Sequence, residues 1–258
     1  MGGMTKFAAL FDLHYGFERR SGHLVPLHDM AAFGAALAFL EDFKPQTLIL
    51  GGDILDCGVI SHHHRNKPGQ TEGMRLIRDA ESCRRDIIAP LKALGAKDIR
   101  YITGNHEGWL EDFTDEHPGI EGMMDLRGLL DLPPSWKVLP DGAHTNLGKL
   151  TFLHGNQLKG GENAAKHAVA AYERSVRFGH FHTFQAATKT SALDLKLGRT
   201  GMAIGCLCHK GPRYTGGAPG RWVQGLNFGY VEPNGFFYDY APLITNGRTI
   251  IHGKVYKG

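Results

Sequence analysis

The chain opens with an apolar run from Lys6 to Phe11 that stops at the polar stretch DLHYGFERRSGH. A run of that length with polar flanks predicts a buried β-strand. From His28 to Phe43, Met30, Phe33, Leu37 and Leu40 recur at helical spacing and Pro45 closes the segment, which predicts an amphipathic helix. Gln46 to Leu50 repeats the short apolar run and ends in GGDILD. Met74 to Leu94 carries Leu76, Ile77, Ile87, Ile88, Leu91 and Leu94 on one side and predicts a second long helix; Ile99 to Thr103 predicts a third strand. Strand and helix alternating at these lengths argue for parallel strands with right-handed crossovers, and such sheets gather ligands beyond the carboxyl ends of their strands. The polar clusters of this chain fall at those ends.

Beyond Leu150 the texture changes. LTFLHG, a helix near Glu162 to Glu173, and SVRFGHFH are followed by short strand-like pieces separated by glycine. The second half reads as a partner sheet, more antiparallel toward the C-terminus, with Pro133 and Pro134 marking a turn between the halves. No repeat, low-complexity tract or clear linker interrupts the pattern. With 258 residues the chain can bury a substantial core, and 1–258 is read as one α/β domain.

Composition narrows the classes. Hydrophobic residues at 42% and charged residues at 21% exclude a largely disordered chain, and 35 glycines imply many tight turns. A net charge of +3 is short of the dense positive field of a duplex-gripping protein, yet it is compatible with a phosphate-bearing substrate. The opening MGGMTKFAAL has no apolar core of a signal peptide, and no apolar run reaches membrane-spanning length, so no membrane association is expected. Four cysteines without a C-x-x-C pair argue against a disulfide framework and for a reducing, cytoplasmic setting.

Five stretches set metal-competent side chains just after predicted strands: Asp12 and His14, Asp53, Asn105 and His106, His154, and His180 and His182. A lone histidine beside a strand is more often a satisfied core or surface residue; five such stretches in series at strand ends are not. Strand-like alternation would put Asp12 with His14, and His180 with His182, on one face. Carboxylate, imidazole and amide oxygen suit manganese, iron or zinc, and no cysteine falls in the set. The ligands are too many for one tetrahedral ion, and two ions sharing a carboxylate fit the count.

The series Asp12-x-His14, Gly52-Asp53, Gly104-Asn105-His106-Glu107, His154-Gly155 and Gly179-His180-x-His182 resembles the calcineurin-like metallophosphoesterase superfamily in order and interval. The tail GCLCHKGPRYTGGAPGRWVQGLNFGYV is similar to phage and bacterial members. The resemblance implies a four-layer α/β/β/α sandwich of two mixed sheets with a dimetal site at the carboxyl ends of strands. It implies that Asp12, His14 and His182 hold one divalent transition-metal ion and Asn105, His154 and His180 the other, with Asp53 bridging and manganese the first choice. It also implies a bridging hydroxide as nucleophile and His106 as general acid or charge stabiliser, with Glu107 beside it among the catalytic residues and orienting an imidazole or the turn. Such a site hydrolyses phosphoester bonds. A phosphodiester is preferred because the candidate substrate loops are long and carry aromatics; a phosphomonoester, a nucleotide or a nucleic acid would use the same site. A non-catalytic partner-binding scaffold would show a missing ligand or a replaced His106, and every position is filled.

Two loops are secondary candidates. SHHHRNK, Ser61 to Lys67, could line the substrate mouth with His62, His63, His64 and Arg65, against the alternative of a solvated loop. Lys210, Arg213, Tyr214, Arg221 and Trp222 mix cations with aromatics as a nucleotide contact would. Glu111, Asp112, Asp115 and Glu116 read as a solvated acidic face.

Overall fold

The computed structural model describes residues 3–191, 194–212 and 220–258. The apolar opening forms β1 (Thr5–Leu10), followed by a hairpin of β2 (Phe17–Arg20) and β3 (His23–Pro26) and by α1 (Met30–Phe43). Asp29 caps α1, its carboxylate accepting from the amides of Ala31 and Ala32. Next come β4 (Thr47–Leu50), the short α2 (Pro68–Thr71), α3 (Leu76–Cys83), α4 (Ala89–Ala93) and β5 (Asp98–Ile102). The long helix expected over 74–94 is interrupted by a π turn at Arg84–Ile88, where the Ala89 amide reaches back to Arg84. Pro90 explains the change: it has no N–H to give, and its ring crowds the carbonyl four residues earlier.

The chain continues through α5 (Asn105–Glu116), α6 (Leu126–Leu130), β6 (Lys137–Leu139), β7 (His144–Leu147), β8 (Leu150–Leu153), α7 (Ala164–Tyr172), β9 (Ser175–Phe178), β10 (Phe184–Ser191) and β11 (Asp194–Ile204). It then forms β12 (Gln224–Gly225), β13 (Asn227–Val231) and β14 (Phe237–Tyr240), and a C-terminal hairpin whose Tyr256 packs on Phe39 of α1. Among the described residues the larger sheet runs β14-β13-β1-β4-β5-β6 and the second β10-β11-β9-β8-β7. Both are mixed. β1, β4, β5 and β6 are parallel, as are β8, β9 and β11, whereas β13, β14, β7 and β10 pair antiparallel. The fold is therefore α/β with two mixed sheets. The sheets do not divide the chain into halves, because β13 and β14 return to the first sheet beside β1.

Strand alternation explains the layering. In β1, Ala8 and Leu10 face a core shared with Phe33, Ala36 and Leu40 of α1, whereas Phe7 and Ala9 face Leu150 and Phe152 of β8 across the space between the sheets. The outer face of the second sheet, Val176 and Phe178 with Ala203, is covered by Ala164, Ala165 and Ala168 of α7. One ion pair crosses between the sheets: Arg177 of β9, fully buried, meets Asp239 of β14 with Nε to Oδ2 at 2.5 Å and Nη2 to Oδ1 at 2.7 Å. No helix among the described residues is long and apolar enough to cross a membrane.

Asp79 of α3 is an exception to polar satisfaction in this core. Its carboxyl is buried, and Oδ2 finds no hydrogen-bond partner among the described residues. Burial, reinforced by the charge of Asp56, pushes its pKa up to about 7 from an ordinary 3.8. A raised carboxyl pKa means that the folded state holds a proton the unfolded chain has released, so Asp79 lowers stability progressively as pH rises from 3.8 to about 7. Asp79→Asn removes that dependence. Thermal unfolding should show little difference from the wild type near the lower limit and a clear gain for the variant above the upper one; a constant offset across that window would contradict a titrating Asp79.

Candidate metal centre

Every expected ligand stands just beyond a strand end, but the pairs Asp12 with His14 and His180 with His182 do not have the pleated conformation that alternation predicted. β1 stops at Leu10 and β9 at Phe178, so Asp12-x-His14 and His180-x-His182 lie on loops. Their backbones turn into the left-handed region, with φ 51° at Asp12, 48° at His14, 63° at His180 and 55° at His182, and Asp53 on the β4 loop does the same at 52°. A side chain in that region costs about 1–2 kcal/mol, tolerated where surrounding structure over-determines it. Convergence thus comes from kinked backbone rather than from a pleat. Two glycines of the motifs serve close approach, since a Cβ on Gly104 would lie 2.2 Å from Asp53 Oδ1 and one on Gly179 would lie 2.2 Å from Asp12 Oδ2.

Asn105, His106 and Glu107 form the first turn of α5, with Gly104 as its N-cap. Of the two partners expected for Glu107, an imidazole or the turn, the structure gives the turn. Its buried carboxylate accepts from the amides of Asp53 (2.9 Å), Ile54 (2.6 Å), Leu55 (3.1 Å) and Gly104 (2.7 Å) and from the Tyr101 hydroxyl (2.7 Å). It orients the β4 loop against α5 and bonds to no imidazole among the described residues. The neighbouring His106 amide donates to Asp53 Oδ1 at 2.9 Å.

The ligand side chains meet in two adjoining groups. In one, His14 Nε2 and His182 Nε2 are 3.2 Å apart, and His182 Nε2 is 3.3 Å from Asp12 Oδ1. In the other, Asn105 Oδ1 lies 3.1 Å from His154 Nε2 and 3.0 Å from His180 Nδ1. Asp53 stands between them, its Oδ2 3.7 Å from His14 Nε2 and 3.2 Å from His154 Nε2. Asp53, His154 and His180 also form a set with ligand atoms within 4.8 Å of one another. Burial opposes ionisation of Asp53, but His154, His106 and His14 outweigh it and hold its carboxyl well below the usual range.

Asp56, three residues after Asp53, is the functional residue that the sequence reading missed. Its Oδ2 is 3.0 Å from Nδ1 of both His14 and His106, and its Oδ1 accepts from the Gly58 amide at 2.8 Å. The spacing in GGDILD held the signal: a second carboxylate one loop turn from the first. Burial works against a charge on His106, yet Asp53 and Asp56 overcome it and raise its pKa to about 9. Trp109, three residues along α5, packs against the His106 ring with centroids 4.1 Å apart. Beyond them opens a cavity of about 540 Å³ that Asn105, His106 and Trp109 line together with His63, His64 and Lys67.

The loop at Ser61 to Lys67 therefore reaches the cavity through His63, His64 and Lys67, whereas Arg65 turns away to pair with Glu116. In the other loop Trp222 packs against His182 with centroids 3.9 Å apart, Lys210 is exposed and Arg221 pairs with Glu162. Arg213 and Tyr214 lie outside the described residues. Glu111, Asp112, Asp115 and Glu116 form the exposed face of α5, as expected.

The donor set fits divalent metal ions. His154 Nδ1 faces the Gly51 carbonyl at 3.0 Å, an oxygen that can only accept, so a ring proton sits there and Nε2 is the nitrogen whose lone pair a bound cation would take in place of the second proton. His14 Nδ1 is likewise committed to Asp56 and leaves Nε2 opposite His182 Nε2. Two buried imidazole nitrogens at that separation cannot both carry protons, and a cation satisfies both.

Comparison with known proteins agrees with this chemistry. The family model described as calcineurin-like phosphoesterase matches residues 5–184, and the chain belongs to that family. Two phage proteins are similar over nearly their whole length. The Gene 54 protein of Mycobacterium phage L5 is 23% identical over 254 residues, covering 90% of this chain and 95% of that protein. The Gene 54 protein of Mycobacterium phage D29 is 25% identical over 256 residues, with the same coverage of each chain. The chain is thus a metal-dependent phosphoric ester hydrolase.

Because Glu107 holds backbone, Glu107→Gln should act through stability and metal affinity. Leaving buried amides partly unpaired should cost about 3 kcal/mol in denaturant unfolding. Both metal sites should weaken together, and kcat should recover at saturating metal. A rate deficit that persists at full metal occupancy would return Glu107 to the catalytic residues.

Proposed function

We propose that the chain hydrolyses phosphodiesters at a dinuclear centre, with Asp12, His14 and His182 holding one ion, Asn105, His154 and His180 the other, and Asp53 shared. The observation that carries this reading is the position of Asp53 Oδ2 between His14 Nε2 and His154 Nε2, one from each group. The nitrogen and oxygen donors suit manganese, iron or zinc. Bound ions would supply Lewis acidity toward phosphoryl oxygens and an activated water.

The residues of the chain do the rest. Asp53 and Asp56, the latter 3.0 Å from His106 Nδ1 as an ion-pair partner, place negative charge beside the ring and favour its protonated form. His106 Nε2 is then the proton donor for the leaving oxygen, or the charge that stabilises it, on the side of the ring 4.0 Å from Asp53 Oδ2. The cavity beside His106 gives room to an ester arm, Trp109 and Phe17 offering aromatic surface, Lys67 positive charge and His63 an imidazole. That second arm favours a diester over a monoester. The cores on both faces of the larger sheet and outside the smaller one support reading 1–258 as a single domain with four layers, helix, sheet, sheet and helix.

Initial rates on an aryl phosphomonoester, an aryl phosphodiester, a cyclic nucleotide and single- and double-stranded DNA test the substrate class, and a monoester turned over faster than every diester would overturn it. Metal analysis should find about two ions per chain, removable by chelation. His106→Asn should keep both ions and lose about 10² to 10⁴ in kcat on an alkyl ester, with a smaller loss on a nitrophenyl ester whose leaving group needs less protonation. Equal losses on the two esters would favour charge stabilisation over proton donation, and loss of an ion would make His106 a ligand.

A further inference from the structure

No cysteine falls in the ligand set expected from the sequence, yet Cys208 lies beside His14 and His182. One ligand atom each of His14, His182 and Cys208 lies within 4.8 Å of the other two, and all three residues are buried. The backbone around Cys208 is fixed from several sides. Leu207 donates its amide to the carbonyl of Asp12 (3.0 Å), the Gln224 side chain donates to the Cys208 carbonyl (2.9 Å), and His209 donates to Leu27 (2.7 Å). The segment is thus tied to the same loop that presents Asp12 and His14. His14 spends Nδ1 on Asp56, so its Nε2 is the nitrogen left to face the group. Cys208 also borders, with His14, Asp56 and Trp222, a small cleft on this side of the centre.

We propose that Cys208 is a sulfur ligand of the ion held by Asp12, His14 and His182, making the two halves of the centre chemically unequal. The inference rests on the dinuclear reading above. As the sulfur–metal bond forms, the thiol proton passes to solvent, and the thiolate adds one negative charge to a site already holding Asp12 and Asp53. A thiolate is a soft donor, so this half selects zinc or iron over manganese, whereas the Asn105, His154 and His180 half keeps only nitrogen and oxygen donors. Cys206 serves as the internal control, because its thiol faces the carbonyls of Val223 at 3.4 Å and Cys208 at 3.8 Å and joins no metal-competent group among the described residues.

The test is cobalt reconstitution of the full chain, with metal content and circular dichroism measured on the same samples. Wild type should bind about two ions and show a sulfur-to-cobalt charge-transfer band in the near ultraviolet. Cys208→Ser should lose the band and bind zinc at one site at least about tenfold more weakly, while Cys206→Ser keeps both. Two bound ions with no sulfur band, or a band that survives Cys208→Ser, would overturn the proposal and leave the dinuclear reading standing. One bound ion whose band depends on Cys208 would support the sulfur ligand and sink the dinuclear reading; no bound cobalt would sink both. Should Cys208→Ser fail to fold, X-ray absorption of the zinc-loaded wild type decides: a sulfur scatterer near ~2.3 Å supports the ligand, and a shell of nitrogen and oxygen alone overturns it.

Discussion

The centre depends on one carboxylate that touches no metal ligand side chain. Glu107 gathers the amides of Asp53, Ile54 and Leu55 from the β4 loop and that of Gly104 from the end of β5, and Tyr101 of β5 closes the group. Backbone amides at a helix start and along a tight loop are donors that strands cannot satisfy, and burying them unpaired would cost about 1–3 kcal/mol each. One ionised carboxylate answers them all. It thereby fixes where Asp53 emerges, and with Asp53 the spacing of the two imidazole groups on either side. The close seat of Gly104 against Asp53 follows from the same tie, because the helix can start that near the loop only where there is no side chain.

Around this fixed point the chain concentrates negative charge. Asp12, Asp53 and Asp56 are all buried, and each is held ionised by imidazoles against the cost of burial. His154 is correspondingly pushed up to about 10, while His180 beside it is pushed down to about 4 by burial and by the charge on His154. Neighbours driven in opposite directions mark a site short of cations for its carboxylates and short of acceptors for its protons. Divalent ions relieve both conditions at once, which is the electrostatic reason that this donor set suits metal and would make a poor hydrophobic core.

Much of the candidate site was legible in the sequence because its candidate ligands lie one to four residues past strand ends, and strand ends are the most visible feature of a parallel sheet. The residue types and order carried the rest. What the sequence hid were contacts between elements distant in the chain. Asp56 looked like the tail of a loop until Nδ1 of two histidines met it, one from the β1 loop and one from α5. Cys208 sits 194 positions from His14, and no C-x-x-C spacing marks it as a ligand. The left-handed backbone at Asp12, His14, His180 and His182 was hidden for another reason: D-x-H reads equally as pleated strand or kinked loop, and only the end of the strand at Leu10 or Phe178 decides between them.

The return of β13 and β14 to the first sheet was equally hidden, and it bears on how the centre is held. Arg177 precedes His180 by one short loop, and its guanidinium is paired across the sheets to Asp239 of β14 while donating to the Thr200 carbonyl on the neighbouring strand. Asn227 of β13 donates to the same Asp239 carboxylate at 2.8 Å. A buried pair of this kind adds little net stability over apolar packing, but breaking it strands a charge, so it specifies one arrangement of the two sheets more strongly than it stabilises them. The arrangement matters here because the centre is divided between them. Asp12, Asp53 and Asn105 hang from the first sheet and His154, His180 and His182 from the second, so any sliding of one sheet on the other would separate the ligands. A polar lock between the sheets, one strand turn from the ligands, keeps the two groups in register where an apolar interface alone would permit several.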